Sequence, residues 1–259
     1  MFKQYFGFKF NPFGKECEVE HIFQSDDLTE LSSRLDYIKK NRGIFLLIGE
    51  PGVGKTTALR RFKEGLNPGI YKFFYSTLST VTVMDFYRSI LIEFGEIPSH
   101  KKVTMFKQIQ ETIISLYYEQ KITPVLVLDE VQLVSSSILE DLRLLFSFKM
   151  DSQNPFLLIL CGQPMIRNKL HLSINTPLKQ RISLKYTMKG ISKDEISYYI
   201  SDRLKIAGVL TNIFNESSIE AIYTVSKGAP RLINNLCTSS LMYACSINKS
   251  TKTASCWGH

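Results

Sequence analysis

The chain has 259 residues, of which 44% are hydrophobic, 22% charged and 12% aromatic, the composition of an ordinary globular protein and not of collagen, a coiled coil or a disordered chain. At this length folding buries roughly three quarters of the unfolded surface, so no disulfide or metal staple is required. Thirty-two Lys and Arg against 24 Asp and Glu leave a formal charge of +8, which suits a polyanionic partner and equally suits simple solubility.

The opening residues, MFKQYFGFKFNPF, are aromatic and broken by Gly7, Asn11 and Pro12, unlike a secretory leader. Beyond them, short apolar runs at 44–48, 71–78, 125–128, 156–161 and 182–186 read as strands. They alternate with segments of helical period at 56–66, 83–94, 105–120, 137–149 and 165–171. This alternation predicts an α/β fold built on a parallel sheet. From 194 to 207 the apolar residues Ile196, Tyr199, Ile200, Leu204 and Ala207 line one face of a helix. Two more helices, near 216–226 and 231–246, follow with no strand between them. A boundary near residue 190 is therefore expected, with an α/β domain over 1–190, an all-helical module over 191–248 and a frayed tail over 249–259.

The longest apolar runs are far shorter than the ~20 residues of a membrane helix, so no membrane contact is expected. Cys17, Cys161, Cys237, Cys245 and Cys256 contain no C-x-x-C pair and read as reduced thiols of a cytoplasmic protein.

Gly49, Glu50, Pro51, Gly52, Val53, Gly54, Lys55 and Thr56 fit G-x-x-x-x-G-K-[ST] between an expected strand and an expected helix. Glycines are needed where the backbone curls so that several N–H groups point into one concavity. Lys55 then supplies a point charge to the β- and γ-phosphates, the helix N-terminus adds its dipole, and the Thr56 hydroxyl is placed to ligate Mg²⁺. These residues and Thr57 are the candidate nucleotide contacts; a chance Gly-rich turn is the bland alternative.

A second apolar strand ends in Asp129 and Glu130. Asp129 is the candidate to hold Mg²⁺ through water, and Glu130 the candidate to polarise the attacking water. By itself this is also how any strand running into an acidic turn looks. The run at 156–161 ends in Gly162, Gln163 and Pro164. Gln163, or less readily Cys161, would place a polar group near the γ-phosphate, unless the Gln is only a turn residue before Pro. Arg181 precedes an apolar run, and Arg231 follows Pro230 at a helix start; each also reads as an ordinary solvated Arg.

Taken together, these features resemble an AAA+ ATPase. The start YFGF followed by NPF, then DEVQL at 129–133, LCGQP at 160–164, PLKQRI at 177–182 and KGAPRLINNL at 227–236 are similar to the ExeA/TniB/TnsC-like group, over roughly residues 1–248. That group contains transposon-encoded helper ATPases and the type II secretion protein A. The resemblance implies a P-loop domain followed by a helical lid, with ATP and Mg²⁺ as cofactors. It further implies Gln163 as a γ-phosphate sensor, Arg181 as a finger given to a neighbouring copy's nucleotide, and Arg231 as a second sensor from the lid. Two departures are Val131, where a small residue commonly follows Asp-Glu, and the tail STKTASCWGH, where a further ordered segment would be expected.

Secretion-type relatives carry a transmembrane helix and an added cell-wall-binding domain. Lacking both, this chain looks more like a transposition helper: a homo-oligomer, ring or filament, that assembles on duplex DNA with little sequence choice and stimulates a separate transposase. A secretion or cell-envelope ATPase and a non-hydrolysing nucleotide switch are the alternatives. Acidic residues are missing between Asp151 and Asp194 and between Glu96 and Glu111. The second window holds Lys101, Lys102 and Lys107, the candidate contacts to the DNA backbone, where phosphates give affinity without sequence choice.

Overall fold

A computed structural model describes residues 2–14, 21–77, 82–148 and 153–247. Cys17, Cys256, Leu78, Lys149 and the expected tail lie outside the described residues. The chain divides into two compact units. One comprises Leu31–Gly49 and Arg61–Thr187, the other Met1–Glu30, Glu50–Arg60 and Met188–His259.

The first unit is built on strands β1 (Gly43–Gly49), β2 (Tyr71–Thr77), β3 (Thr123–Asp129), β4 (Leu157–Gly162) and β5 (Ile182–Met188), in the sheet order β2-β3-β4-β1-β5. The β1–β4, β2–β3 and β3–β4 pairings are parallel. Every residue of β1, β3 and β4 is buried. Such uninterrupted apolar runs are what central parallel strands with covered faces require. Helices α4 (Val83–Phe94), α5 (Lys102–Ile114) and α6 (Ser136–Leu145) contribute Phe86, Ile90, Met105, Ile109, Ile138 and Leu142 to one core with Leu126 and Leu158. Short helices α7 (Ile166–His171) and α8 (Thr176–Arg181) lie between β4 and β5.

Helix α4 has the limits expected from sequence because both ends are locally encoded. The Thr82 side chain accepts the Asp85 N–H, and Gly95 closes the helix at φ +84°. The helix expected over 105–120 instead starts at Lys102 and gives way to a π turn, Ser115–Glu119. Within that turn the Tyr117 ring lies 4.9 Å from the Arg42 guanidinium. Helix α2 (Asp26–Asn41) has no counterpart among the expected elements. Its buried stripe is Leu28, Leu31, Leu35 and Ile38, and the Ser25 Oγ caps it by accepting the Leu28 N–H at 3.2 Å.

In the second unit, α9 (Ile196–Ile206), α10 (Glu216–Ser226) and α11 (Pro230–Ser246) surround a core of Ile200, Leu204, Ile222, Ile233, Cys237 and Leu241. The aromatic N-terminal segment, which includes α1 (Phe2–Phe6), adds Phe8 and Phe13 to that core. Lys9 donates its N–H to the Ala207 carbonyl at 3.0 Å. The buried Arg203 donates Nε to the Pro12 carbonyl at 2.7 Å. Among the described residues, cysteines 161, 237 and 245 form no disulfide. Among the described residues no helix is long and apolar enough to cross a membrane.

Candidate nucleotide site

The helical unit carries the glycine-rich loop that follows β1. Gly52 and Gly54 have φ of +80° and +110°, conformations that side chains rarely adopt. A Cβ on Gly52 would lie 2.8 Å from the Arg231 Cβ, and the Arg231 N–H donates to the Gly52 carbonyl at 3.2 Å. Arg231, at the start of α11, is thus seated against the loop while its side chain remains exposed. Lys55 is buried and donates from Nζ to the Glu50 carbonyl at 3.0 Å. Helix α3 (Lys55–Glu64) begins here, with Thr56 and Thr57 exposed on its first turn. Its leading N–H groups have no acceptor within the helix and point, with the dipole, toward the loop. A curled backbone with glycine at both positive-φ positions, a lysine and a helix start together fit a polyphosphate.

Backbone contacts fix the surroundings of that loop. Ile191 donates its N–H to the Gly228 carbonyl at 2.8 Å. A Cβ on Gly228 would meet the Ile191 carbonyl oxygen at 2.1 Å, and one on Gly190 would meet the Gly228 oxygen at 2.4 Å. Asp27 accepts the N–H groups of Lys189 and Gly190 at 3.0 and 2.9 Å. In return, Glu195 accepts the Asp26 N–H at 2.7 Å, together with the N–H and hydroxyl of Ser192. Burial alone would raise the Glu195 pKa, but the Ser192 and Asp26 donors outweigh it and hold the carboxyl below its ordinary value.

The sheet unit carries the carboxylates. Parallel register puts the ends of β3 and β4 at one edge, with Leu128 opposite Leu160, the edge where open α/β sheets bind ligands. Asp129 is buried; its Oδ1 accepts the Glu130 N–H at 2.8 Å and its Oδ2 the Tyr75 hydroxyl at 2.6 Å. Burial and that bond push the Tyr75 phenol well above its usual range. Each carboxylate oxygen keeps a second lone pair, so Asp129 fits a hydrated Mg²⁺.

Glu130 sits at φ +59° and ψ 34°, a left-handed conformation costing a non-glycine residue roughly 1 kcal/mol. Its Oε2 accepts from the side-chain amides of Gln132 and, at 3.3 Å, Gln163. Gln132 accepts the Gln163 N–H at 2.9 Å in return. The fold therefore brings Glu130 and Gln163 together, whereas Cys161 is enclosed within β4. Neither Gln132 nor Tyr75 stands out in the sequence. DEVQL contains the first without marking which of its residues bonds to another strand.

Arg181 ends α8 and donates Nη1 to the Arg143 carbonyl at 2.6 Å. Burial, followed by the nearby Arg143 charge, lowers its pKa. Lys101 and Lys102 are exposed at the start of α5, and Lys107 is exposed on its second turn. Lys102, however, pairs with Asp141, its Nζ 2.7 Å from Oδ2, and lies 5.8 Å from the Tyr87 ring centroid.

A parallel sheet, a phosphate-binding loop after its first strand and an Asp-Glu pair at the end of another define a P-loop NTPase. A family model described as AAA domain matches residues 38–170, a little over half the chain, and the chain belongs to that family. It is 30% identical over 248 residues to General secretion pathway protein A of Aeromonas hydrophila, covering 94% of this chain and 45% of that protein. The chain thus spans less than half the length of that relative. Among solved structures it is similar to Cdc6p from Pyrobaculum aerophilum, with a TM-score of 0.67 and 17% identity over 93% of this chain and 67% of the other. The Aeropyrum pernix ORC1 protein in complex with DNA gives a TM-score of 0.65 and 12% identity over 95% and 67%. These two likenesses establish the shared fold.

Proposed function

We propose that this protein binds ATP with Mg²⁺ and hydrolyses the γ-phosphate at interfaces between copies of itself. The observation that carries this reading is the pairing of Glu130 with Gln163 beside Asp129 at the strand tips. Residues 49–57 cradle the phosphates through backbone N–H groups, and Lys55 balances their charge. Thr56 and Asp129 are the residues that would hold Mg²⁺, which when bound would neutralise phosphate charge. Glu130 orients the attacking water and takes its proton. Gln163 and Arg231 contact the γ-phosphate side, and Arg181 of one copy reaches the nucleotide of the next. Replacing Glu130 by Gln should lower kcat by about 10²–10⁴ and leave ATP binding intact. Turnover by the wild-type protein no faster than that of E130Q would favour a non-hydrolysing switch. Wild-type rates from Arg181→Ala in assembled protein would remove the trans role.

For the biological setting we favour a cytoplasmic accessory ATPase of DNA transposition that assembles on duplex DNA and acts on a separate transposase. Lys101, exposed at the N-terminus of α5, and Lys107, exposed on its second turn, would contact backbone phosphates. Lys102 would join them only by leaving Asp141. Each lost contact should reduce the salt slope of ATP-dependent DNA binding by about one unit. Unchanged affinity and slope for Lys101→Ala/Lys107→Ala would sink this interface. The 30% identity to General secretion pathway protein A favours a second setting, in secretion at the cell envelope. Co-fractionation with membranes and no ATP-dependent DNA binding would select it.

A further inference from the structure

Gln132 has no direct part in the proposed chemistry, yet it is buried at the strand tips. Gln132 lies in the 3-10 turn Val131–Leu133 and is only 5% exposed. Its amide is engaged at both ends, donating from Nε2 to Glu130 Oε2 and accepting the Gln163 N–H at Oε1, 2.9 Å away. The partners set its orientation, because a backbone N–H demands an oxygen and a carboxylate demands a donor. Gly162 makes the room, since a Cβ there would lie 2.8 Å from Gln132 Oε1 and 2.9 Å from Val131 Cγ2. Between two strand ends that are otherwise apolar up to Asp129 and Gly162, a buried amide without both bonds would be destabilising.

We infer that Gln132 is a positioning residue that ties the tip of β3 to the tip of β4, so that Glu130 and Gln163 face the same water and phosphate as one unit. Its bond offsets the backbone strain at Glu130 and holds that carboxylate in its left-handed turn. The inference rests on reading Glu130 as the base.

The test uses the full chain and three measurements: ATP affinity, kcat, and hydrogen exchange of the Gln163 amide. Gln132→Glu keeps the shape and the acceptor for Gln163 but removes the donor to Glu130. It should lower kcat by about 100-fold while ATP affinity stays within about 3-fold and the Gln163 amide stays protected. Gln132→Ala should lower kcat similarly and expose that amide to faster exchange. Neither change should lower kcat further in an E130Q background, because Gln132 acts through Glu130. Near-wild-type kcat for Q132E, losses that add to that of E130Q, or unaltered Gln163 exchange in Q132A would each overturn the inference. If the wild-type protein turns over no nucleotide, the ATPase reading fails, and the exchange measurement still decides whether Gln132 bridges the two tips.

Discussion

The sheet unit and the helical unit each carry candidate site residues, and each uses glycine to permit a close approach within itself. At the strand tips, the bare Cα of Gly162 admits the amide of Gln132. In the helical unit, Gly190 and Gly228 admit each other's backbone, with the Ile191 N–H bonded to the Gly228 carbonyl. The first contact is made by side-chain hydrogen bonds and can be altered one donor at a time. The second is made by main chain and has no space for a methyl group. Changes at the strand tips should therefore separate catalysis from stability, and changes at the helical contact should not.

The sharpest way to break this contrast is Gly228→Ala, which adds positive-φ strain to a 2.1 Å approach to the Ile191 oxygen. It should destabilise the protein by about 3 kcal/mol or more in urea unfolding, with ATP binding lost alongside. Arg203→Ala removes the buried guanidinium bonded to the Pro12 carbonyl. It should cost about 2 kcal/mol and make the N-terminal segment the first site of proteolytic nicking.

Tyr75→Phe should cost about 1 kcal/mol by deleting one hydrogen bond to Asp129. Because the change is confined to a strand-tip side chain, it should alter the Mg²⁺ concentration needed for turnover and leave metal-free nucleotide affinity unchanged. The smallest effect belongs to Glu195, whose pKa is held below the ordinary value of about 4.5. Its contribution is fully present above that value and is lost as pH falls through the depressed folded pKa. Solvent screening keeps the contribution below about 1 kcal/mol. Glu195→Gln should therefore slightly flatten the acid side of the stability curve, measured as melting temperature against pH.

Legibility followed the range of the interactions. Strands β1, β3 and β4 were readable because burial on both faces leaves continuous apolar runs, and α4 because Thr82 and Gly95 mark its ends in adjacent residues. Helix α2 carries an equally regular stripe at Leu28, Leu31, Leu35 and Ile38, but these apolar residues are spaced among charged and polar ones, without the continuous run that marks the central strands. Charge counting marks three equivalent lysines, but folding places Asp141 beside one of them.

The sequence by itself determined the class of this protein. A phosphate-binding loop and a strand-end carboxylate pair are short local patterns whose residue types follow from backbone curvature and charge. Only the tertiary structure decided that Gln132 joins Gln163 across 31 residues, that Tyr75 engages Asp129 across 54, and that Arg203 holds the N-terminal segment across 191. These partners meet because sheet order and core packing bring distant chain segments together. Local periodicity reports which face of an element is buried, but not which polar group waits on the other side.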